Sequence, residues 1–186
     1  MSTTPPNESC CSVSTCLSWL GLLVGCVGIA GSIHLSLGMG LQPCPLCYYQ
    51  RSFVMATTAV LLLGLLGGTR RLVSVAGLAL PLAVAGAALA GFHVYLEATG
   101  ILECPKGIMD YGSAPQQSLA ALGPLALLLL LATIASRQAN GGVLGVLAGL
   151  VLGAGMAYGC VVSAPPVPKR TEPYKEELKI CRPPYV

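Results

Sequence analysis

Apolar positions along this chain come in long unbroken runs, not in strict alternation or one-faced stripes. Five stretches, Leu17–Leu41, Tyr48–Leu66, Leu72–Leu96, Ser118–Ala135 and Gly142–Ser163, are each long enough as helices to cross a ~30 Å hydrocarbon layer. Inside lipid no water can hydrogen-bond the backbone, so such stretches must satisfy their N–H and C=O groups internally, as helices. The pattern predicts an all-α polytopic membrane helical bundle, a four-helix core plus a fifth transmembrane helix. The first stretch has no basic segment before it and exceeds the roughly 7–15-residue apolar region of a signal peptide, which predicts a retained span.

Between the runs the chain is polar. Residues 1–16 are Ser/Thr-rich and read as a disordered tail, 17–163 as the bundle, and 164–186 as a Pro-rich, charged tail too polar to enter lipid. The connection 42–47 is very short, and Gly67-Gly68-Thr69-Arg70-Arg71 and residues 136–141 make two further short turns. The longest connection, 97–117, carries Glu97, Glu103, Lys106 and Asp110, and Gly107, Gly112 and Pro115 are expected to break any helix there. Gly145, Gly149 and Gly153, and likewise Ala87 and Gly91, recur at four-residue intervals. Small residues at that spacing let helices approach closely, so they are assigned to packing and to no chemistry.

Composition strengthens the membrane reading. Of 186 residues 54% are hydrophobic and only 9% charged, where a soluble domain carries about a quarter. The net charge of +3 sets ten basic residues against seven acidic ones, and the basic residues form no stripe, which argues against a nucleic-acid partner. Among the short connections Arg70, Arg71 and Arg137 fall on one side, Arg51 and Lys106 on the other. Positive charge favours the cytoplasmic side, so both cysteine-bearing connections are expected outside. Five spans then carry the C-terminal tail to that same side, despite Lys169, Arg170, Lys175, Lys179 and Arg182.

The nine cysteines supply the candidate chemistry. Cys10, Cys11 and Cys16 precede the first span and Cys26 lies within it; none of these four has an assigned role. Cys44 and Cys47 lie between spans one and two, Cys104 between spans three and four, Cys160 at the end of span five and Cys181 in the tail. An odd total leaves at least one thiol free or paired between molecules. Cys44-Pro45-Leu46-Cys47 could be half of a zinc site, but that needs two more ligands from Cys104, Cys160, Cys181 or His93. As a purely structural disulfide its ring is too small to constrain the unfolded chain much. A redox couple is favoured: a helix N-terminus lowers a thiol's pKa, and Cys47 falls at or just before the first turn of span two. Arg51 lies one helical turn deeper, where a charge is expensive without a partner or a watery site.

The segment Leu41-Gln42-Pro43-Cys44-Pro45-Leu46-Cys47-Tyr48-Tyr49-Gln50-Arg51 resembles the signature of the bacterial disulfide-bond formation protein B (DsbB) family. The C-x-x-C, the aromatic after it and the Arg four residues past the second Cys match in register, and a weaker likeness runs over about 17–136. The resemblance implies a protein-disulfide oxidoreductase of the bacterial inner membrane with its redox loops facing the periplasm. Such an enzyme reoxidises a soluble periplasmic thioredoxin-fold (DsbA-like) oxidase and passes the electrons to membrane quinone, ubiquinone or menaquinone. Carried over, Cys44 and Cys47 are the quinone-linked pair, with Cys47 the thiolate in contact with quinone. Arg51 and His93 are quinone-binding residues, and Cys104 is the cysteine attacked by the partner.

Here the chain departs from the family, whose second outer loop carries two cysteines; residues 97–117 hold only Cys104. Because a tail of about twenty residues spans tens of Å at ~3.3 Å per residue, Cys181 is expected to replace the missing cysteine and pair with Cys104. A Cys160–Cys181 bridge is the alternative. Two other functions compete with the whole reading. A vitamin K epoxide reductase-like quinone reductase is disfavoured because that family's C-x-x-C comes on a fourth helix. A thiol-rich metal carrier is disfavoured because every Asp and Glu lies outside the span interiors.

Overall fold

The computed structural model describes residues 13–136, 142–164 and 178–184. Cys10, Cys11, Arg137 and most of the Pro-rich tail lie outside the described residues, as do the side chains of Arg70 and Arg71. Five helices account for the five apolar runs: α1 Val13–Leu37, α2 Pro45–Leu66, α3 Thr69–Ala98, α4 Ala114–Ala135 and α5 Gly142–Ser163. All five are long and apolar enough to cross a membrane. The fold is thus the expected all-α polytopic bundle, and the described residues contain isolated backbone bridges but no strand.

The helix ends differ from expectation in ways that matter for the site. Helix α2 begins at Pro45, with Cys44 as its N-cap, so Cys47 lies inside the first turn. Helix α4 begins at Ala114: Ser113 and Gln116 form a reciprocal capping box, and Pro115 lies in the first turn. Pro115 was expected to break a helix but helps start one. The first-turn N–H groups have no intrahelical acceptor, so proline loses nothing there.

Helix α3 is the centre of the bundle. It packs against α2, α4 and α5, while α1 closes the other side against α4 and α2. In its most apolar window 44% of residues are buried, against 17% for α5, which lies at the edge. The core combines Leu61, Leu80, Leu125 and Leu129 with Ala76, Ala79, Ala83, Ala90 and Ala132, all without exposure. Lipid is as apolar as leucine, so close backbone approach rather than water exclusion favours this packing. A Cβ on Gly153 would come within 2.7 Å of Pro81 O and of Val84, and one on Gly149 would press on Leu80. Those two glycines seat α5 on α3. Gly145 and Gly91 face open space, so the four-residue pattern is only partly used. Thr58 and Thr133 turn their hydroxyls back to Val54 O and Leu129 O, each at 2.7 Å, which satisfies them inside the apolar interior.

The two cysteine-bearing connections meet at one end of the bundle, and the tail returns to them. Gln42 N donates to Lys179 O at 2.8 Å. Glu103 and Arg182 exchange backbone bonds of 2.8 and 3.0 Å in an antiparallel bridge. The α3–α4 connection is shaped by a 3₁₀ turn at Ile108–Asp110 and by Gln117, whose side chain binds Ile108 N, Ile108 O and Tyr111 O.

Candidate active site

Cys44 occupies a position usually held by Ser, Thr, Asp or Asn. Its backbone is extended (φ −73°, ψ 166°), and its sulfur accepts the N–H of Cys47 at 3.2 Å. The cap sulfur therefore sits in the positive field of the α2 N-terminus. It is buried, and lies 2.7 Å from the sulfur of Cys47. A disulfide needs about 2.05 Å, so a small rotation closes the pair. The hydrogen bond from the Cys47 thiol pulls the Cys44 pKa down to about 5, opposed by burial and assisted by His93. The Cys47 N–H and thiol draw negative charge toward Cys44, the neighbour of the Cys47 to which the resemblance assigns the quinone-facing thiolate.

The expected Cys104–Cys181 bond is present. It joins residues 77 apart in sequence with their Cα atoms 4.2 Å apart, flanked by the Glu103–Arg182 bridge. Cys160 is a half-buried thiol on α5 that packs among Leu46, Leu89, Ala157 and Cys181, so the alternative Cys160–Cys181 pairing is not formed. Cys16 and Cys26 are exposed on α1 and take no part in this cluster.

His93, fully buried on α3, lies between the two pairs. Its Nε2 is 3.5 Å from Cys104 Sγ and 3.9 Å from Cys44 Sγ. Its Nδ1 is 3.2 Å from Gln50 Nε2, which also lies 3.4 Å from Leu89 O. One nitrogen of His93 and the sulfurs of Cys44, Cys47 and Cys181 all lie within 4.8 Å of one another. These donor types would suit zinc, but a ligating cysteine must be a thiolate. Cys181 is bonded to Cys104, and the cluster reads as two adjacent redox pairs.

Arg51 extends from α2 to α1. Its Nε donates to Ser32 Oγ at 2.8 Å; its Nη2 donates to Ser32 O at 2.8 Å and to Ser36 Oγ at 2.6 Å. Neutral oxygens hold the guanidinium, and the described residues contain no carboxylate paired with it. Arg51 lines a cavity of about 80 Å³ together with Gln50, Cys47, Cys181 and the apolar Leu41, Val54 and Leu122. On that measure one water needs roughly 10–15 Å³, so the space exceeds a single solvent molecule. Gln50 is 3% exposed, and its Oε1 has no hydrogen-bond partner among the described residues. His93 is not among the residues lining this cavity and meets it only through Gln50.

Ser32, Ser36 and Gln50 were not singled out in the sequence. The only signal for the serines was a Ser-x-x-x-Ser step in an apolar run, a spacing that puts both hydroxyls on one helix face. Gln50 stood next to Arg51 within the motif and drew no role of its own.

Two cysteine pairs in contact at one end of a membrane-type helical bundle define a thiol–disulfide site embedded in a polytopic fold. The sequence model of the disulfide bond formation protein DsbB family matches residues 14–124, and the chain belongs to that family. It is 33% identical over 130 residues to a probable disulfide formation protein of Chlamydia trachomatis, covering 64% of this chain and 93% of the relative. It is 31% identical over 134 residues to a probable disulfide formation protein of Metapseudomonas resinovorans, with 65% and 88% covered. Against the disulfide bond formation protein B 1 of Pseudomonas fluorescens it is 32% identical over 83 residues, spanning 44% of this chain and 49% of the relative. No solved structure matches the chain. The family match ends inside α4, so α5, Cys160 and Cys181 lie beyond it.

Proposed function

We propose that this disulfide formation protein oxidises a soluble thioredoxin-fold dithiol protein of the periplasm and delivers the electrons to quinone in the bacterial inner membrane. The observation that carries the reading is the contact between the two pairs beside the Arg51 cavity. The partner's dithiol becomes a disulfide as Cys104–Cys181 is reduced to two thiols. Cys181 then attacks the oxidised Cys44–Cys47 pair at Cys44, whose sulfur lies within 4.8 Å of its own. Cys47 leaves as the thiolate. Attack by Cys104 on Cys181 restores the Cys104–Cys181 bond and leaves Cys44 and Cys47 reduced, the arrangement seen here.

The cavity residues fit a quinone ring. Arg51 offers charged donors to a carbonyl oxygen, and the orphaned Gln50 Oε1 offers an acceptor to a hydroxyl. Cys47 lines the same space, so the pair that must be emptied of electrons borders the acceptor. A bound quinone supplies a two-electron sink at that point. Arg51 and Gln50 orient, and the apolar wall of Leu41, Val54 and Leu122 limits water.

Purified full-length protein, given a reduced thioredoxin-fold oxidase and a short-chain ubiquinone analogue, should oxidise the first only in the presence of the second. Oxidation at the same rate without quinone, or none with it, would overturn the reading.

A further inference from the structure

The Gln50 amide reports where the proton sits on His93. Its Nε2 faces the carbonyl of Leu89, an element of the α3 backbone that can only accept. Reversing the amide would set two acceptor oxygens against each other, so Nε2 is the atom that faces Leu89 O. The same Nε2 then donates its second hydrogen to His93 Nδ1. A nitrogen that accepts carries no proton, which places the neutral ring's hydrogen on Nε2. That N–H points into the gap between Cys104 Sγ, 3.5 Å away, and Cys44 Sγ, 3.9 Å away.

We propose that His93 acts within the thiol relay: its Nε2–H hydrogen-bonds the sulfur that carries negative charge during exchange between the two pairs. Gln50 is the positioning residue that holds this tautomer. The inference rests on the relay proposed above. In the final exchange step the Cys104 thiolate attacks Cys181 Sγ within the Cys181–Cys44 mixed disulfide. The Cys104–Cys181 bond forms, the Cys181–Cys44 bond breaks, and the electron pair leaves on Cys44. No proton is transferred. The negative charge moves from one side of His93 Nε2 to the other, and a single fixed donor serves both the attacking and the departing sulfur. In a buried site a donor to a charged atom is stronger than in water, and its loss leaves that charge unsolvated.

The test separates this step from quinone chemistry. Quinone-stripped, fully oxidised full-length protein is mixed with one equivalent of a reduced thioredoxin-fold protein, which is too large to reach the buried Cys44 directly. Transfer of reduction from Cys104/Cys181 to Cys44/Cys47 is followed by acid quench, alkylation and peptide mapping. Loss of a hydrogen bond to a charged sulfur predicts that His93→Phe and Gln50→Leu slow the transfer by roughly tenfold or more. His93→Gln keeps an N–H near the Nε2 position and should stay within about threefold of wild type, whereas His93→Asn, which reaches only to the Nδ1 position, should not. The pH midpoint for alkylation of reduced Cys44 should rise in His93→Phe and hold in His93→Gln. A retained Cys104–Cys181 bond in each variant certifies the fold. Wild-type transfer in His93→Phe would overturn the proposal, as would a His93→Gln variant as slow as His93→Phe. Because quinone is absent, failure here is distinct from failure of the quinone assay.

Discussion

The two cysteine pairs are built by opposite means. Cys44 and Cys47 are three residues apart, and one helix start holds both: Pro45 opens the first turn and Cys44 caps it through its own sulfur. Cys104 and Cys181 are 77 residues apart and meet because backbone bridges draw the tail across two connections. The first pair is fixed to a rigid span, next to the cavity. The second is hung between irregular segments, at the end of the bundle. That contrast suits a relay in which the outer pair must yield to a protein partner while the inner pair keeps its geometry. His93, Gln50 and Arg51 all belong to helices, so the fixed half of the site carries the groups whose positions are most exacting.

The contrast can be broken from either side. The largest effect is expected at the helix-capped pair. Cys44→Ser or Cys47→Ser should abolish quinone reduction while membrane insertion is unchanged, since the described residues offer no second C-x-x-C; normal turnover in either variant refutes the central assignment. The outer pair should fail more selectively. Cys181→Ser should eliminate oxidation of the thioredoxin-fold partner, yet a small dithiol that reaches Cys44 directly should still reduce quinone. Equal loss of both activities would show that the two pairs are not separable.

A difference in ionisation should sharpen the comparison. The Cys44 pKa is held near 5, below the ordinary 9.0, so its thiolate persists down to about pH 5 and is lost as pH falls through that value. At pH 7 an unperturbed thiol with a pKa near 9.0 is only about 1% ionised, so Cys44 should hold about a hundredfold more thiolate than such a group. Alkylation of the reduced protein, mapped by peptide against pH, measures this directly; a Cys44 midpoint near 9 would contradict it. Smaller still is the effect at Arg51. Arg51→Ala should raise the apparent KM for quinone by roughly tenfold or more with little change in that for the protein partner, and Arg51→Lys should recover only part of the loss. Ser36→Ala removes one of the three bonds that hold the guanidinium and should cost about threefold. An unchanged KM throughout would reduce Arg51 to an interfacial anchor.

The expected Cys104–Cys181 pairing was an argument from supply, since the loop held one cysteine and the tail another. Besides the disulfide and the packing of Ile180, the tail is held by backbone hydrogen bonds at Gln42, Glu103 and Arg182, which leave no mark in composition. Likewise the cap at Cys44 set its sulfur, not that of Cys47, against the first-turn N–H. Spacing placed the helix start within a few residues, but only the completed first turn decides which sulfur receives the N–H.

Long apolar runs determined the five helices by themselves, because a backbone that meets no water has one local way to satisfy its polar groups. The C-x-x-C and Arg51 were legible for a related reason: motif chemistry set by neighbours in sequence survives without knowledge of the fold. The tertiary structure alone decided what meets across the bundle. It set His93 between two pairs of sulfurs, aimed Gln50 at its ring and at Leu89 O, and gave Arg51 two serines of α1 in place of a carboxylate. Those contacts depend on how α1, α2 and α3 rotate against one another. Uniformly apolar helices carry little periodic signal for that rotation; close packing of small residues settles it once the helices are in contact.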